Sequence, residues 1–239
     1  MSWRDEADRL PNFAPASFEL TRERTALVIV DMQYVDAHRD YGLGKSLKES
    51  HPDVWEYYFD RVERLVLPNT LRLLEAFRAD GLRVVHITIG PVLPDGADMV
   101  ALRRPKAAPG LVPLLHHAGT FEHRILEELE PRDDEIVLNK TSRGAFNSTA
   151  IERVLLNLGV EALVVVGVST SSCIETTARD AADRGFKVAI VEDATAELDE
   201  PSHEATLRQF AVRWGRVWTT DETLAALSLR GGSREAVGV

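Results

Sequence analysis

Short continuous runs of apolar residues alternate along this chain with segments in which apolar positions recur every three or four residues. A continuous apolar run predicts a strand that is buried on both faces of a sheet, and the wider spacing predicts an amphipathic helix. These patterns predict strands over 25–31, 82–89, 135–139, 162–167, 187–191 and 216–218. They predict helices over 62–79, 149–158, 173–183, 201–212 and 222–229.

The alternation of strands and helices predicts an α/β fold, in which a mainly parallel sheet is covered on both faces. Residues 90–120 interrupt this order, because they contain many prolines and glycines and little periodic signal. Long connections in compact domains are often functional lids or interface segments. We therefore expect this connection to lie near a site or an interface.

Composition narrows the class of protein. With 239 residues, of which 44% are hydrophobic and 28% charged, the chain can build a full globular core. A net charge of −10 and the lack of Lys/Arg runs argue against a nucleic-acid partner. A single cysteine cannot form an internal disulfide, no apolar stretch reaches membrane-spanning length, and the polar N-terminus does not resemble a signal peptide. We expect a cytoplasmic protein with no membrane partner.

Three residues whose side chains can take part in catalysis come at the ends of predicted strands. Asp31 ends the first strand, Lys140 follows the third, and Cys173 follows the fourth and opens a helix. The carboxyl ends of parallel strands meet at one edge of a sheet, so we expect the three side chains to converge there. The N-terminus of a helix favours a thiolate, which is the reactive form of cysteine. Each residue type also has ordinary roles at strand ends, and it is the combination that indicates a catalytic site.

Four segments around these residues carry a family resemblance: Ala26-Leu-Val-Ile-Val-Asp-Met-Gln33, Val137-Leu-Asn-Lys-Thr-Ser-Arg-Gly-Ala-Phe146, Val166-Gly-Val-Ser-Thr-Ser-Ser-Cys173 and Thr177-Ala-Arg-Asp-Ala181. The chain resembles the isochorismatase-like cysteine hydrolases from about residue 20 to residue 228. The resemblance implies a Rossmann-like three-layer α/β/α fold with a mainly parallel, six-stranded sheet. We expect residues 21–229 to form this domain, between an N-terminal extension (1–20) and a flexible C-terminal tail (230–239).

The resemblance also implies a catalytic triad of Asp31, Lys140 and Cys173. In this scheme Asp31 is the general base, Lys140 holds the developing charges, and Cys173 attacks a carbonyl carbon to form a thioester. Backbone N–H groups of Ser169 and Cys173 are expected to form the oxyanion hole. The family further implies a cis peptide bond between Val168 and Ser169.

A cysteine nucleophile favours hydrolysis of a carbon–nitrogen bond, since isochorismatases proper cleave a vinyl ether without one. Nicotinamidases of the family carry an Asp-x-His-x5-His metal motif, which is absent here, and no histidine spacing suits zinc. We therefore expect no metal and no cofactor. The expected substrate is a small amide or ureide, of the kind cleaved by biuret, carbamoylsarcosine or ureidoacrylate hydrolases. The resemblance also suggests a homodimer or homotetramer.

Candidate substrate contacts are predicted from their positions in the sequence. Tyr34, Asp36 and Arg39 follow the first strand, Arg103 lies in the long connection, and Phe146 follows Lys140. An arginine can bind a substrate carboxylate through two hydrogen bonds. A solvated or interface loop is the competing interpretation for the polar residues, and plain core packing is the competing interpretation for Phe146.

Other functions stay open at this point. The chain could be an isochorismatase-type hydrolase of another small metabolite, a non-catalytic ligand-binding module or a thiol sensor. No Gly-x-Gly-x-x-Gly motif follows the first strand, which argues against a dinucleotide-binding module. No second cysteine is present to resolve an oxidised sulfur within the chain, which argues against a sensor.

Overall fold

The computed structural model describes residues 3–7, 17–101 and 116–229. Within these ranges six parallel strands form one sheet in the order β3-β2-β1-β4-β5-β6. The strands are β1 Thr25–Val30, β2 Arg83–Ile89, β3 Ile136–Lys140, β4 Ala162–Val168, β5 Lys187–Ala196 and β6 Arg216–Trp218. The predicted Rossmann-like α/β fold is confirmed, and the described strand pairs are all parallel.

Ten α-helices are described: α1 Trp3–Ala7, α2 Tyr34–Ala37, α3 Gly42–Ser50, α4 Pro52–Arg61, α5 Leu67–Ala79, α6 Ala145–Ser148, α7 Ile151–Asn157, α8 Glu175–Asp183, α9 Glu200–Arg213 and α10 Thr220–Ala226. Alternate residues of each strand point to opposite faces, so the apolar runs supply two cores. Val28 and Val30 of β1 pack with α6, α7, α8 and α9, whereas Leu27 and Ile29 pack with α4, α5 and α10.

The helix predicted over 62–79 begins ten residues earlier than expected. It starts as α4 at Pro52, widens into a π-type turn over Val62–Val66 and continues as α5. Pro68 lies inside this longer segment, although proline is favoured in the first turn of a helix. The wide turn accommodates it inside a longer helical segment instead, since proline and π-type turns are both places where the regular hydrogen-bond ladder is interrupted.

Strand β5 is longer than predicted, and this changes what lies at the edge of the sheet. The prediction stopped at Val191, because Glu192 and Asp193 break the apolar run, but the strand continues to Ala196. The carboxylate of Asp193 already has partners, because it accepts hydrogen bonds from the backbone N–H and the hydroxyl of Thr220. The residue that follows the strand is therefore Glu197.

Gly167 allows β4 to pass close to β1 just before Asp31. The pairing of β4 with β5 shifts register between Val165 and Gly167, and Gly167 has a φ of 114°. A Cβ added at this glycine would lie 2.0 Å from the carbonyl oxygen of Val30. No side chain fits there without moving one of the two central strands.

The chain ends are described only in part. Residues 3–7 of the expected N-terminal extension form α1, which packs against α9. Arg4 in this helix forms ion pairs with Glu192 and Glu222. The expected flexible tail, 230–239, lies outside the described residues. Among the helices that are described, none is long and apolar enough to cross a membrane.

Replacing Gly167 by alanine tests the close approach of β1 and β4. We expect Gly167→Ala to lower the free energy of unfolding by at least about 3 kcal/mol, because both its φ and its contact with Val30 are incompatible with a side chain. Gly159→Ala is the matched control, since Gly159 also has a positive φ but has open space around it. Its expected cost is about 1 kcal/mol. Urea denaturation of both variants measures the difference, and equal costs would contradict the steric argument.

Candidate active site

The carboxyl ends of three strands bring the predicted residues together. Asp31 directly follows β1, Lys140 is the last residue of β3, and Cys173 lies in a wide turn, Thr170–Ile174, that leads from β4 into α8. Strands β1 and β4 are neighbours at the point where the strand order reverses. In open α/β sheets the crevice at this point is where ligands bind.

Lys140 connects the other two side chains. Its Nζ lies 2.8 Å from Oδ2 of Asp31 and 3.3 Å from Sγ of Cys173. Exposure is 2% for Asp31, 0% for Lys140 and 5% for Cys173, so the cluster is held out of bulk water. The structure thus brings together the three residues that the sequence analysis nominated.

Lys140 stays positively charged in this environment. Burial lowers the pKa of its ammonium group, but the charges of Asp31 and Cys173 and their hydrogen bonds outweigh burial, so the pKa is raised. A buried ammonium at hydrogen-bond distance stabilises negative charge on either neighbour. Oδ1 of Asp31 is buried and has no hydrogen-bond partner within the described residues, so this oxygen is free to accept a proton.

Gln33 holds the chain that carries Asp31. Its side-chain oxygen accepts a hydrogen bond from the backbone of Ile89, and its amide donates to the carbonyls of Ile89 and His123. The backbone N–H of Asp31 donates to the carbonyl of Ile87, and Asp31 itself has a φ of 53°. The end of β1 is thereby tied to the end of β2, and the carboxylate has a fixed position.

The loop before Cys173 is anchored by a carboxylate that the sequence analysis missed. The peptide bond between Val168 and Ser169 is cis, as the resemblance implies. Glu197 accepts hydrogen bonds from the backbone N–H and the hydroxyl of Ser171, at 2.7 and 2.6 Å. The Ser171 N–H is therefore engaged by Glu197. Applied to the true end of β5, the rule that strand ends carry site residues would have nominated this glutamate.

A histidine anchors the same loop from α9. Arg61 lies 2.7 Å from Nε2 of His203, and an arginine can only donate, so Nε2 accepts and Nδ1 carries the proton. Nδ1 then donates to the hydroxyl of Thr170, at 2.9 Å. Burial and the positive charge of Arg61 lower the pKa of His203 to about 3, against a favourable contact with the Glu192 carbonyl. His203 is neutral at physiological pH.

Two of the candidate substrate contacts, Arg39 and Phe146, have partners within the protein. The guanidinium of Arg39 forms ion pairs with Asp60 and Glu63 and lies 4.8 Å from the ring centroid of Trp55, so its charge is already balanced. Phe146 is a core residue, because its ring packs on Phe186 and under the guanidinium of Arg184. These contacts place Phe146 beside the end of α8 that is farther from Cys173.

The other three candidate substrate contacts, Tyr34, Asp36 and Arg103, lie in different parts of the structure. Tyr34 packs with Tyr41 and Phe121, and it lines a cavity of about 560 Å³ bounded by the 121–131 segment and Val137. The backbone carbonyl of Asp36 accepts a hydrogen bond from the hydroxyl of the buried Tyr58. Arg103 lies outside the described residues.

Tyr58 was not foreseen at the site. Burial raises the pKa of its hydroxyl well above the ordinary value, and the negative charges of Asp36, Glu197 and Cys173 add to that rise. The charges of Cys173 and Asp31 act on this hydroxyl, so Tyr58 lies near their cluster. On the sequence Tyr58 precedes the helix predicted over 62–79, so no predicted element pointed to it.

Arg143 is a further residue that the sequence analysis did not single out. It lies in the loop after β3, and its Nε donates a hydrogen bond to Oγ of Ser172, at 3.0 Å. Its side chain is exposed beside a buried triad. No group of three or more His, Cys, Asp or Glu side chains in the described ranges is arranged to hold a metal ion.

Comparison with known proteins identifies the family of this chain. A family profile described as "Isochorismatase domain" matches residues 25–222, which is most of the chain. The chain belongs to the isochorismatase family. The predicted resemblance is thereby confirmed, and the protein is a hydrolase of this family.

Curated relatives of this isochorismatase-family hydrolase include ureidoacrylate amidohydrolase RutB of Agrobacterium fabrum. The two are 28% identical over 225 residues, which cover 90% of this chain and 94% of the relative. Nicotinamidase 3 of Arabidopsis thaliana is 42% identical over 96 residues, but the match spans only 39% of this chain and 48% of that protein.

Solved structures extend the likeness to the whole fold. A cysteine hydrolase from Pseudomonas syringae pv. phaseolicola superimposes with a TM-score of 0.73 at 25% identity, covering 91% of this chain and 98% of the other. N-carbamoylsarcosine amidase from Thermoplasma acidophilum superimposes with a TM-score of 0.60 at 23% identity, covering 83% and 97%. At this level of identity, the similarity to N-carbamoylsarcosine amidase supports the fold and not the activity.

The buried His203 makes folding stability depend on pH. Because the pKa of His203 is about 3 in the folded state and about 6.5 in an unfolded chain, only the unfolded state binds a proton there between these values. This residue therefore makes the free energy of unfolding fall as the pH drops from about 6.5 towards 3. We expect His203→Asn to lose that part of the decline, as measured by urea denaturation at pH 7.5, 6.5, 5.5 and 4.5.

The exposed His51 provides the control. His51→Asn is expected to keep the wild-type pH dependence. An undiminished slope in His203→Asn would show that the histidine does not carry the effect.

Proposed function

We propose that this hydrolase cleaves a carbon–nitrogen bond of a small amide or ureide through a thioester on Cys173. One observation carries the proposal: Lys140 lies within hydrogen-bond distance of both Asp31 and Cys173, while the second oxygen of Asp31 has no partner in the described structure. Nucleophile, cation and base thus occupy one buried cluster, as covalent catalysis requires.

The first half of the reaction forms the thioester. Asp31 takes the thiol proton of Cys173, and the sulfur forms a bond to the carbonyl carbon of the substrate. The ammonium of Lys140 stabilises the negative charge as it passes from the carboxylate to the sulfur. When the tetrahedral intermediate collapses, the carbon–nitrogen bond breaks, Asp31 returns its proton to nitrogen, and ammonia or an amine leaves.

The second half regenerates the enzyme. Asp31 takes a proton from water, and the resulting hydroxide attacks the carbonyl carbon of the thioester. The carbon–sulfur bond then breaks, Asp31 gives its proton to the sulfur to restore the thiol, and a carboxylic acid or, from a ureide, a carbamic acid is released. The same carboxylate therefore serves as base and then as acid in each half of the reaction.

Charge on the carbonyl oxygen requires its own donors. We assign this role to the backbone N–H groups of Ser169 and Cys173, which flank the loop that Glu197 and His203 anchor. A preorganised donor of this kind contributes about 3 kcal/mol to stabilisation of the intermediate. The Ser171 N–H is excluded from this set, because it is bonded to Glu197.

Ureides are the preferred class of substrate. The relative aligned over nearly its full length is named as a ureidoacrylate amidohydrolase, whereas the nicotinamidase match spans less than half of either protein. A homodimer or homotetramer stays a prediction for this chain.

Removal of the nucleophile tests the mechanism. We expect Cys173→Ala to lower ammonia release from small ureides and amides by at least about 1,000-fold, because no other group in the cluster can form the thioester. We expect a similarly large loss for Lys140→Met. Lys187→Met is the control, since Lys187 lies at the opposite end of the sheet, where β5 begins. Turnover that persists in Cys173→Ala would refute covalent catalysis by this residue.

A further inference from the structure

Arg143 is placed beside the nucleophile by its own hydrogen bond. Its Nε donates to Oγ of Ser172, at 3.0 Å, and that oxygen lies 4.0 Å from Sγ of Cys173. The guanidinium is thus two short contacts away from the sulfur. The hydrogen bond through Nε also leaves the two terminal nitrogens of the guanidinium to act together.

The charge of Arg143 is not balanced by an acid within the part of the chain that the structure describes. Its only recorded partner in the described residues is a neutral hydroxyl, and it makes no ion pair there. Most other described arginines are paired with carboxylates: Arg4, Arg22, Arg24, Arg39, Arg64, Arg72, Arg78, Arg179 and Arg184. Other described arginines, Arg153 among them, also form no ion pair within the described residues, so Arg143 is distinguished by its place beside Ser172 and Cys173.

The triad cannot supply positive charge to a substrate. Lys140 is fully buried, and its ammonium already faces both Asp31 and Cys173. A negatively charged substrate would therefore face the carboxylate of Asp31 and the sulfur of Cys173. It would find no available positive charge unless a cationic side chain lies at the edge of the cluster. Arg143 is exposed and stands at that edge.

We propose that Arg143 binds a carboxylate group of the substrate, and that the enzyme prefers ureides or amides with a carboxylate a few bonds from the cleaved carbonyl. The two terminal nitrogens of a guanidinium match the two oxygens of a carboxylate, which a lysine cannot do. Ser172 acts as a positioning residue, because its hydroxyl accepts the hydrogen bond that orients the guanidinium of Arg143. The assignment rests on the proposed function, because it takes Cys173 as the point of attack.

Two nearly isosteric ureides separate charge recognition from catalysis. N-carbamoylglycine carries a carboxylate, and N-carbamoylglycinamide carries a neutral amide at the same place. We expect Arg143→Gln to lower kcat/KM for N-carbamoylglycine about 10- to 100-fold, mainly through KM, as expected for loss of a charge-assisted pair. The value for the neutral ureide should change less than about twofold, and Arg143→Lys should fall between.

Arg153→Gln is the matched control, since Arg153 is an equally exposed arginine on α7, away from the loop of Cys173. It is expected to leave both kinetic constants unchanged. Calorimetric binding of both ureides to Cys173→Ala, with and without Arg143→Gln, gives a second readout that needs no turnover. Tighter binding of the carboxylate compound, lost with Arg143, supports the assignment.

The outcomes distinguish the two proposals. Equal effects of Arg143→Gln on both ureides, or no preference for the carboxylate in turnover and in binding, would overturn the role of Arg143. Carboxylate binding that depends on Arg143, without cleavage of either ureide by the wild-type enzyme, would support the role of Arg143 and count against the proposed reaction. Cleavage of both without charge preference would do the reverse.

Discussion

A buried ammonium shared between a carboxylate and a sulfur is the interaction on which the rest of this site depends. Lys140 is fully buried, and a lone charge in such a place would be costly. Asp31 and Cys173 offset that cost, and in return the ammonium stabilises whichever of them is negative. The proton can therefore move from sulfur to carboxylate without any net change of charge in the cluster.

This interaction requires three strand ends to meet within a few ångströms. The strand order places β1 beside β4, and β3 lies two strands away, so Lys140 must reach across β2 to join the others. Lysine suits that reach, because its ammonium group is a compact charge at the end of a long, flexible side chain. Gly167 allows the two central strands to approach, and Gln33 fixes the chain that carries Asp31 to the end of β2.

A second constraint acts on the loop before Cys173. Backbone N–H groups can stabilise an oxyanion only if they are already oriented before the reaction. Glu197 and His203 anchor the two neighbouring residues, Ser171 and Thr170, from different elements of the fold. Both anchors are buried, and their hydrogen bonds fix the loop from two separate elements of the fold.

Local patterns were sufficient for much of the fold. Each predicted strand exists, since a continuous apolar run can be buried only inside a sheet that is covered on both faces. Errors came where a pattern was interrupted: the helix predicted from residue 62 begins at Pro52, and Glu192 and Asp193 concealed the continuation of β5 to Ala196. In β5 a tertiary contact compensates the interruption, because Thr220 donates two hydrogen bonds to Asp193, and a local reading of the chain does not contain that contact.

The sequence by itself determined the α/β class, the family and the convergence of Asp31, Lys140 and Cys173, because strand ends of a parallel sheet share one edge. Only the tertiary structure decided which polar groups are still available. It shows Arg39 engaged by acids and Arg143 without an acid partner in the described residues, although both are arginines in loops near strand ends. Whether a charge is balanced depends on residues far away in the chain, and only the folded arrangement brings those residues into contact.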